Sequence, residues 1–320
     1  MEKDRFKTRS TLNKLIRAIA LIAALLAFVL YGYNVFDHNA LVDLRIEYKY
    51  IFLSIALFTL HYLGKYFLWH LLSKYCHCSI MLAKAIFARS ISEFGKYLPG
   101  KVWMYVFIYT QYSDAGYERK SVLWAVYYDM FCQIAGVSIG LLFLVFTFDH
   151  DLNLPVWAIS PASLSLAYFL LLLSLSPFVL TTILGRFLGD KDLQPTISHF
   201  RLILLTHGYF VNVITFIVGV YFLLLGIGMI GFTFTDVLIM SLVYMGASLL
   251  GLLAFFAPGG IGVREASFIY FLALEYPKDD LFIISMVVRI LLIIAEAILF
   301  LGALFAKSVL WNTGSKEVIN

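Results

Sequence analysis

The chain has 320 residues, 62 % of them hydrophobic and 14 % charged, with a formal net charge of +4. The charged share is about half the roughly 25 % of soluble domains, and the mean hydropathy is +0.88. Together they exclude a water-soluble globular protein, and three cysteines exclude a disulfide framework.

In chain order, Lys3, Arg5, Lys7, Arg9, Lys14 and Arg17 make residues 1–17 a basic segment, which the positive-inside rule keeps in the cytoplasm. The apolar run from Ala18 to about Tyr33 lacks a small-residue cleavage site, so it reads as a retained first helix rather than a signal peptide. A second helix follows at 50–72. Cys76-His77-Cys78 is too tightly spaced for a tetrahedral zinc set and reads as a loop. Residues 80–112 carry Lys84, Arg89, Glu93, Lys96 and Lys101 and are interrupted at Pro99-Gly100. Further helices are expected at 121–148, 162–184 and 202–228. A second broken segment covers 236–275, with Pro258-Gly259-Gly260 at its centre, and the last helix runs 281–306. Residues 18–306 thus form a single transmembrane domain, and 307–320 a cytoplasmic tail. The fold class is an all-α polytopic membrane protein with about six full transmembrane helices and two Pro-Gly-broken re-entrant helical hairpins. With both hairpins re-entrant, Lys74, Arg119, Lys120, Arg186, Lys191, Arg201, Lys307 and Lys316 fall inside, and only Arg45, Lys49 and Lys278 outside.

The two broken segments match one another. Tyr97-Leu98-Pro99-Gly100-Lys101-Val102 aligns with Phe256-Ala257-Pro258-Gly259-Gly260-Ile261, which suggests an inverted repeat with halves of about 50–148 and 202–306. Gly/Pro-interrupted apolar segments at corresponding positions point to a transporter's binding site. Irregular backbone is tolerated at membrane depth only where protein or a wet cavity satisfies it. The half-helix that leaves each break starts with free N–H groups and a positive dipole end, a ready anion site.

The run Pro258-Gly259-Gly260-Ile261-Gly262-Val263-Arg264-Glu265 resembles the signature of the lysylphosphatidylglycerol synthase transmembrane, or flippase-like, family. Lys96-Tyr97-Leu98-Pro99-Gly100-Lys101, and Arg289 with Glu296, agree with it over roughly 15–306. In fused members of that family the membrane part is associated with moving an aminoacylated phospholipid, and a separate cytosolic domain makes the lipid. No such domain is read here, so synthase activity is not carried over and an enzyme is not expected. The first motif continues as Val102-Trp103-Met104-Tyr105, where the family often has Gly and an acidic residue; that departure bears on the substrate. The resemblance implies a bacterial or archaeal inner membrane, and the positive-inside rule puts both termini on its cytoplasmic side.

Ionisable groups at membrane depth mark function by default. The expected substrate-binding residues are Pro99, Gly100, Lys101, Trp103, Pro258, Gly259, Gly260, Gly262, Arg264, Glu265 and Arg289. Arg89, Glu93, Asp129 and Glu296 are expected as coupling groups or ion pairs. Asp129 and Arg289 occupy nearly repeat-equivalent positions, which suggests a pair across the pseudo-axis, with a coupling or a purely structural role. Arg89 and Glu93 are one helical turn apart. Lys84, Lys96 and Lys65 can snorkel to the headgroups. His61, His70 and His207 read as hydrogen-bonded interior residues, and no cofactor or metal is expected. The expected function is movement of an anionic or polyprenyl-phosphate-linked lipid across the bilayer, for envelope lipid modification or surface polysaccharide assembly. A separate lipid or glycan synthesis enzyme is a candidate partner, and nucleic acid is not. The alternatives are a glycosyltransferase using a lipid-linked sugar, with Asp149 and Asp151 as its best acidic pair, or a non-transporting scaffold.

Overall fold

A computed structural model describes residues 46–97, 103–148, 197–229, 231–254 and 257–314. The expected helices at 15–33 and 162–184, and Asp149 and Asp151, lie outside the described residues, as do Pro99, Gly100 and Lys101. Within them, all regular structure is helical. Helix α1 is Tyr48–Tyr75, α2 Leu82–Phe94, α3 Trp103–Ser113 and α4 Arg119–Phe148. Helix α5 is His199–Gly226, α6 Phe234–Leu253, α7 Val263–Leu272 and α8 Lys278–Gly314. Short 3₁₀ turns at Gly95–Tyr97 and Pro258–Gly260 follow α2 and α6. Five of these helices, α1, α4, α5, α6 and α8, are long and apolar enough to cross a membrane. The chain is therefore an all-α polytopic membrane protein.

One succession occurs twice: a long helix, a second helix, a 3₁₀ turn, a short helix and another long helix. The packing repeats as well. Helix α8 lies against α1 and α2, and its counterpart α4 lies against α5 and α6. The first helices of the two halves also pack on each other, and they run antiparallel. Ile51 meets Gly226, Phe58 meets Gly219, Gly64 meets Asn212 and Leu68 meets Gly208. At one end the Glu47 amide donates to the Gly226 carbonyl at 2.9 Å, and further in the Ser54 hydroxyl donates to the Gly219 carbonyl at 2.8 Å. Counted from Tyr48 and from His199, His61 and Asn212 are each the fourteenth residue. They meet each other: Asn212 Nδ2 donates to the His61 carbonyl at 3.0 Å. A pseudo-two-fold axis through this contact runs perpendicular to both helices. For helices that cross a membrane, that axis lies in the membrane plane and inverts one helix relative to the other.

The close approach depends on small residues, as in other membrane helix pairs. A Cβ on Gly64 would stand 2.1 Å from Asn212 Oδ1. Around the crossing, Phe58, Tyr62, Tyr66, Phe216 and Tyr244 build the larger apolar core.

The two broken segments differ in length. Helix α2 has 13 residues and α6 has 20, or about 20 and about 30 Å at 1.5 Å per residue. The hydrocarbon core is about 30 Å thick, so α6 is long enough to cross it and α2 is not.

Candidate functional site

The two 3₁₀ turns pack on each other at the junction of the halves. Gly259, Gly260 and Gly262 all adopt positive φ, between 59° and 82°, which an L side chain resists. Gly259 is also sterically required: a Cβ there would lie 2.9 Å from the Tyr97 ring. The second turn thus sits face to face with the last residue of the first. Gly262 caps α7, and its amide donates to the Glu265 carboxylate at 2.7 Å. The free amide expected there as an anion hook is already taken by the chain's own carboxylate.

Among the described residues, nine ionisable side chains converge beside these turns. In the first half, Arg89 of α2 donates to Asp129 of α4 at 2.8 Å and lies 3.6 Å from Glu93. Asp129 also accepts from Gln133 at 2.8 Å and from the Tyr209 hydroxyl of α5. Glu93 lies 3.3 Å from Lys96 and 3.9 Å from Lys65 of α1. In the second half, Arg289 of α8 donates to Glu265 of α7 at 2.5 Å. Arg264 Nε lies 3.5 Å from the same carboxylate, and the Arg264 guanidinium stands 5.3 Å from the centre of the Tyr244 ring. Besides Tyr209 on Asp129, a carboxylate of the second half is held by the first. Glu296 of α8 accepts from Lys96 and from Tyr62 of α1, and from Tyr97 at 3.1 Å.

Two cavities open among these groups. The larger, about 210 Å³, is lined by Lys65, Arg89, Glu93, Lys96, Asp129 and Arg264, together with His61, Tyr105, Gln133, Asn212 and apolar residues of α4, α5 and α6. The smaller, about 110 Å³, is lined by Lys96, Tyr97, Gly259, Gly260, Arg264, Arg289 and Glu296. Lys96 and Arg264 belong to both walls. Ligand pockets for drug-sized molecules run to about 300–1,000 Å³, so the larger cavity accommodates a group smaller than those.

The family model described as "Lysylphosphatidylglycerol synthase TM region" matches residues 15–299. The chain belongs to this family. A search of curated proteins found no match. In this member of the lysylphosphatidylglycerol synthase transmembrane family, the matched span contains all nine converging residues.

Of the residues singled out in the sequence, Gly259, Gly260, Arg264 and Arg289 line a cavity, and Gly262 and Glu265 hold the start of α7. Pro258 opens the second turn. Trp103 begins α3, is 46 % exposed, and stands outside both linings. Arg89, Glu93, Asp129 and Glu296 are buried and paired. The expected Asp129–Arg289 pair is replaced by Asp129–Arg89 and Arg289–Glu265. Each of these ion pairs closes inside its own half. Lys65 turns inward to the larger cavity rather than outward to headgroups. Sequence reasoning missed Tyr62 and Tyr209, since a tyrosine in an apolar span carries no charge to mark it.

Proposed function

We propose that this protein moves a lipid with an anionic headgroup across the bilayer, the headgroup passing through the charged cavities while its chains stay in the membrane. The observation that carries this reading is a headgroup-sized cavity, walled by five cations and three carboxylates counting its smaller neighbour, in a bundle otherwise built to sit in hydrocarbon. Charge at that depth is costly, and a purely structural bundle gains nothing from keeping a wet space beside it. The antiparallel halves fit alternating access, in which one repeat rocks against the other around a midplane site. Helix α2 and helix α3, at 13 and 11 residues, form a re-entrant pair in this reading. A separate enzyme of lipid or glycan synthesis supplies the cargo, which includes polyprenyl-phosphate-linked lipids, and the setting is a prokaryotic inner membrane.

The test is reconstitution into liposomes holding labelled anionic lipids, with transbilayer movement followed by quenching at the outer leaflet. Wild type is expected to accelerate movement, and Arg264→Ala to lose most of it while eluting as a folded species. Movement at the protein-free rate, with the protein shown to be inserted, would sink the reading.

A further inference from the structure

We infer that the larger cavity takes an anionic headgroup, a phosphate monoester or phosphodiester without an ammonium group, and clamps it between Lys65 of the first half and Arg264 of the second. This rests on the transport reading above and names the chemistry its cargo needs.

The argument is an inventory of donors and acceptors. Each of the four carboxylates is met by three donors. Glu93 has Lys65, Arg89 and Lys96 within 4 Å, and Asp129 has Arg89, Gln133 and Tyr209. Glu265 has Arg289, Arg264 and the Gly262 amide. Glu296 has Lys96, Tyr62 and Tyr97. Each carboxylate thus already faces this chain's own cations or donors, with which a ligand ammonium would have to compete.

The cations are unevenly used. Arg89, Lys96 and Arg289 make short contacts with carboxylates. Lys65 reaches its carboxylate only at 3.9 Å, and among the described residues Arg264 bonds through Nε alone, at 3.5 Å. The Lys65 ammonium and the two terminal nitrogens of Arg264 are the spare donors, and both residues line the larger cavity. Among the described residues, five cations against four carboxylates also leave one positive charge over. A buried surplus charge is costly without a counter-charge. A phosphate oxyanion supplies the charge and the acceptors together, and guanidinium suits it geometrically. Because Lys65 stands on α1 and Arg264 on α7, an anion bound to both ties the two halves together.

The experiment is calorimetric titration of the purified full chain in detergent with dihexanoyl phosphatidic acid, phosphatidylglycerol and phosphatidylethanolamine, and with inorganic phosphate. The two anionic lipids are expected to bind at least about tenfold tighter than the ethanolamine lipid. Lys65→Ala and Arg264→Ala should each weaken them about tenfold or more, the usual scale for a hydrogen bond to a charged group; Lys65→Arg and Arg264→Lys should keep more of the affinity. Inorganic phosphate binding as tightly as phosphatidic acid would make free phosphate the source of the same chemistry, whereas much weaker phosphate binding assigns it to lipid. The inference is overturned if phosphatidylethanolamine binds as well as the anionic lipids, a comparison that needs no variant. It is equally overturned if natively eluting Ala variants keep wild-type affinity. Selective binding without transbilayer movement would defeat the transport reading alone, and equal movement of ethanolamine and glycerol lipids would defeat this inference alone.

Discussion

Arg89 is 3 % exposed and held on three sides, by Asp129, by Glu93 and by the face of Trp69, whose ring centre lies 5.3 Å away. Its removal takes the one cation paired with Asp129 among the described residues and one of the three around Glu93. Breaking a buried pair from one side costs about 3–5 kcal/mol, so Arg89→Ala should unfold at markedly lower denaturant in mixed micelles. Replacing both partners with apolar residues of similar volume, Arg89→Met with Asp129→Leu, should recover much of that loss. A double variant no more stable than Arg89→Ala would mean that the surrounding groups need the charges themselves. The tyrosines act more gently. Tyr209→Phe removes one of three donors to Asp129 and should cost about 1–3 kcal/mol, measurable in the same denaturation. Lys65→Ala, by contrast, removes a cation whose one carboxylate contact is 3.9 Å long. It is expected to change stability little and lipid binding much.

At the scale of elements, the crossing of α1 and α5 is the tightest joint between the halves. The Gly64 position already touches Asn212, which sits beside His61 on the pseudo-axis. Gly64→Leu has no room, and overpacking of this kind costs about 1–3 kcal/mol. It should lower the unfolding temperature and reduce transport together, because the two halves pivot there. Gly64→Leu with unchanged melting would mean that the helices can separate without loss. The long apolar runs that made α1, α4, α5 and α8 legible in the sequence are a property of composition, since a span needs only about 20 apolar residues. The Pro-Gly breaks were legible because proline and glycine restrict or free the backbone locally. Pairing was not. Repeat-equivalent positions put Asp129 and Arg289 on corresponding helices, but a salt bridge forms only where two side chains reach, and packing gave each a nearer partner. Lys65 was misplaced for a related reason. Its position along α1 suits snorkelling, and only the rotation of the helix decides whether the side chain meets lipid or the interior.

At the scale of the molecule, the antiparallel α1 and α5 fix which chain ends share a side. Glu47 lies next to Gly226, and Arg201 stacks on Tyr75 with its guanidinium 4.8 Å from the ring centre. If α1 crosses the bilayer, Glu47 faces one compartment, and Lys74 with Arg201 faces the other. The basic residues decide the sign: the positive-inside rule places Lys74 and Arg201 in the cytoplasm, leaving Glu47 and Lys278 outside. Cysteine substitution reads this directly, because the native Cys76, Cys78 and Cys132 are buried and give little background. Glu47→Cys and Lys278→Cys should react with a membrane-impermeant maleimide on intact spheroplasts. Lys74→Cys and Arg201→Cys should react only after the membrane is opened. Labelling of Glu47→Cys and Lys74→Cys from the same side would show that α1 does not cross, and with it the in-plane axis and alternating access would fall. Reversed labelling of all four would keep the axis and overturn only the orientation that the basic residues assign.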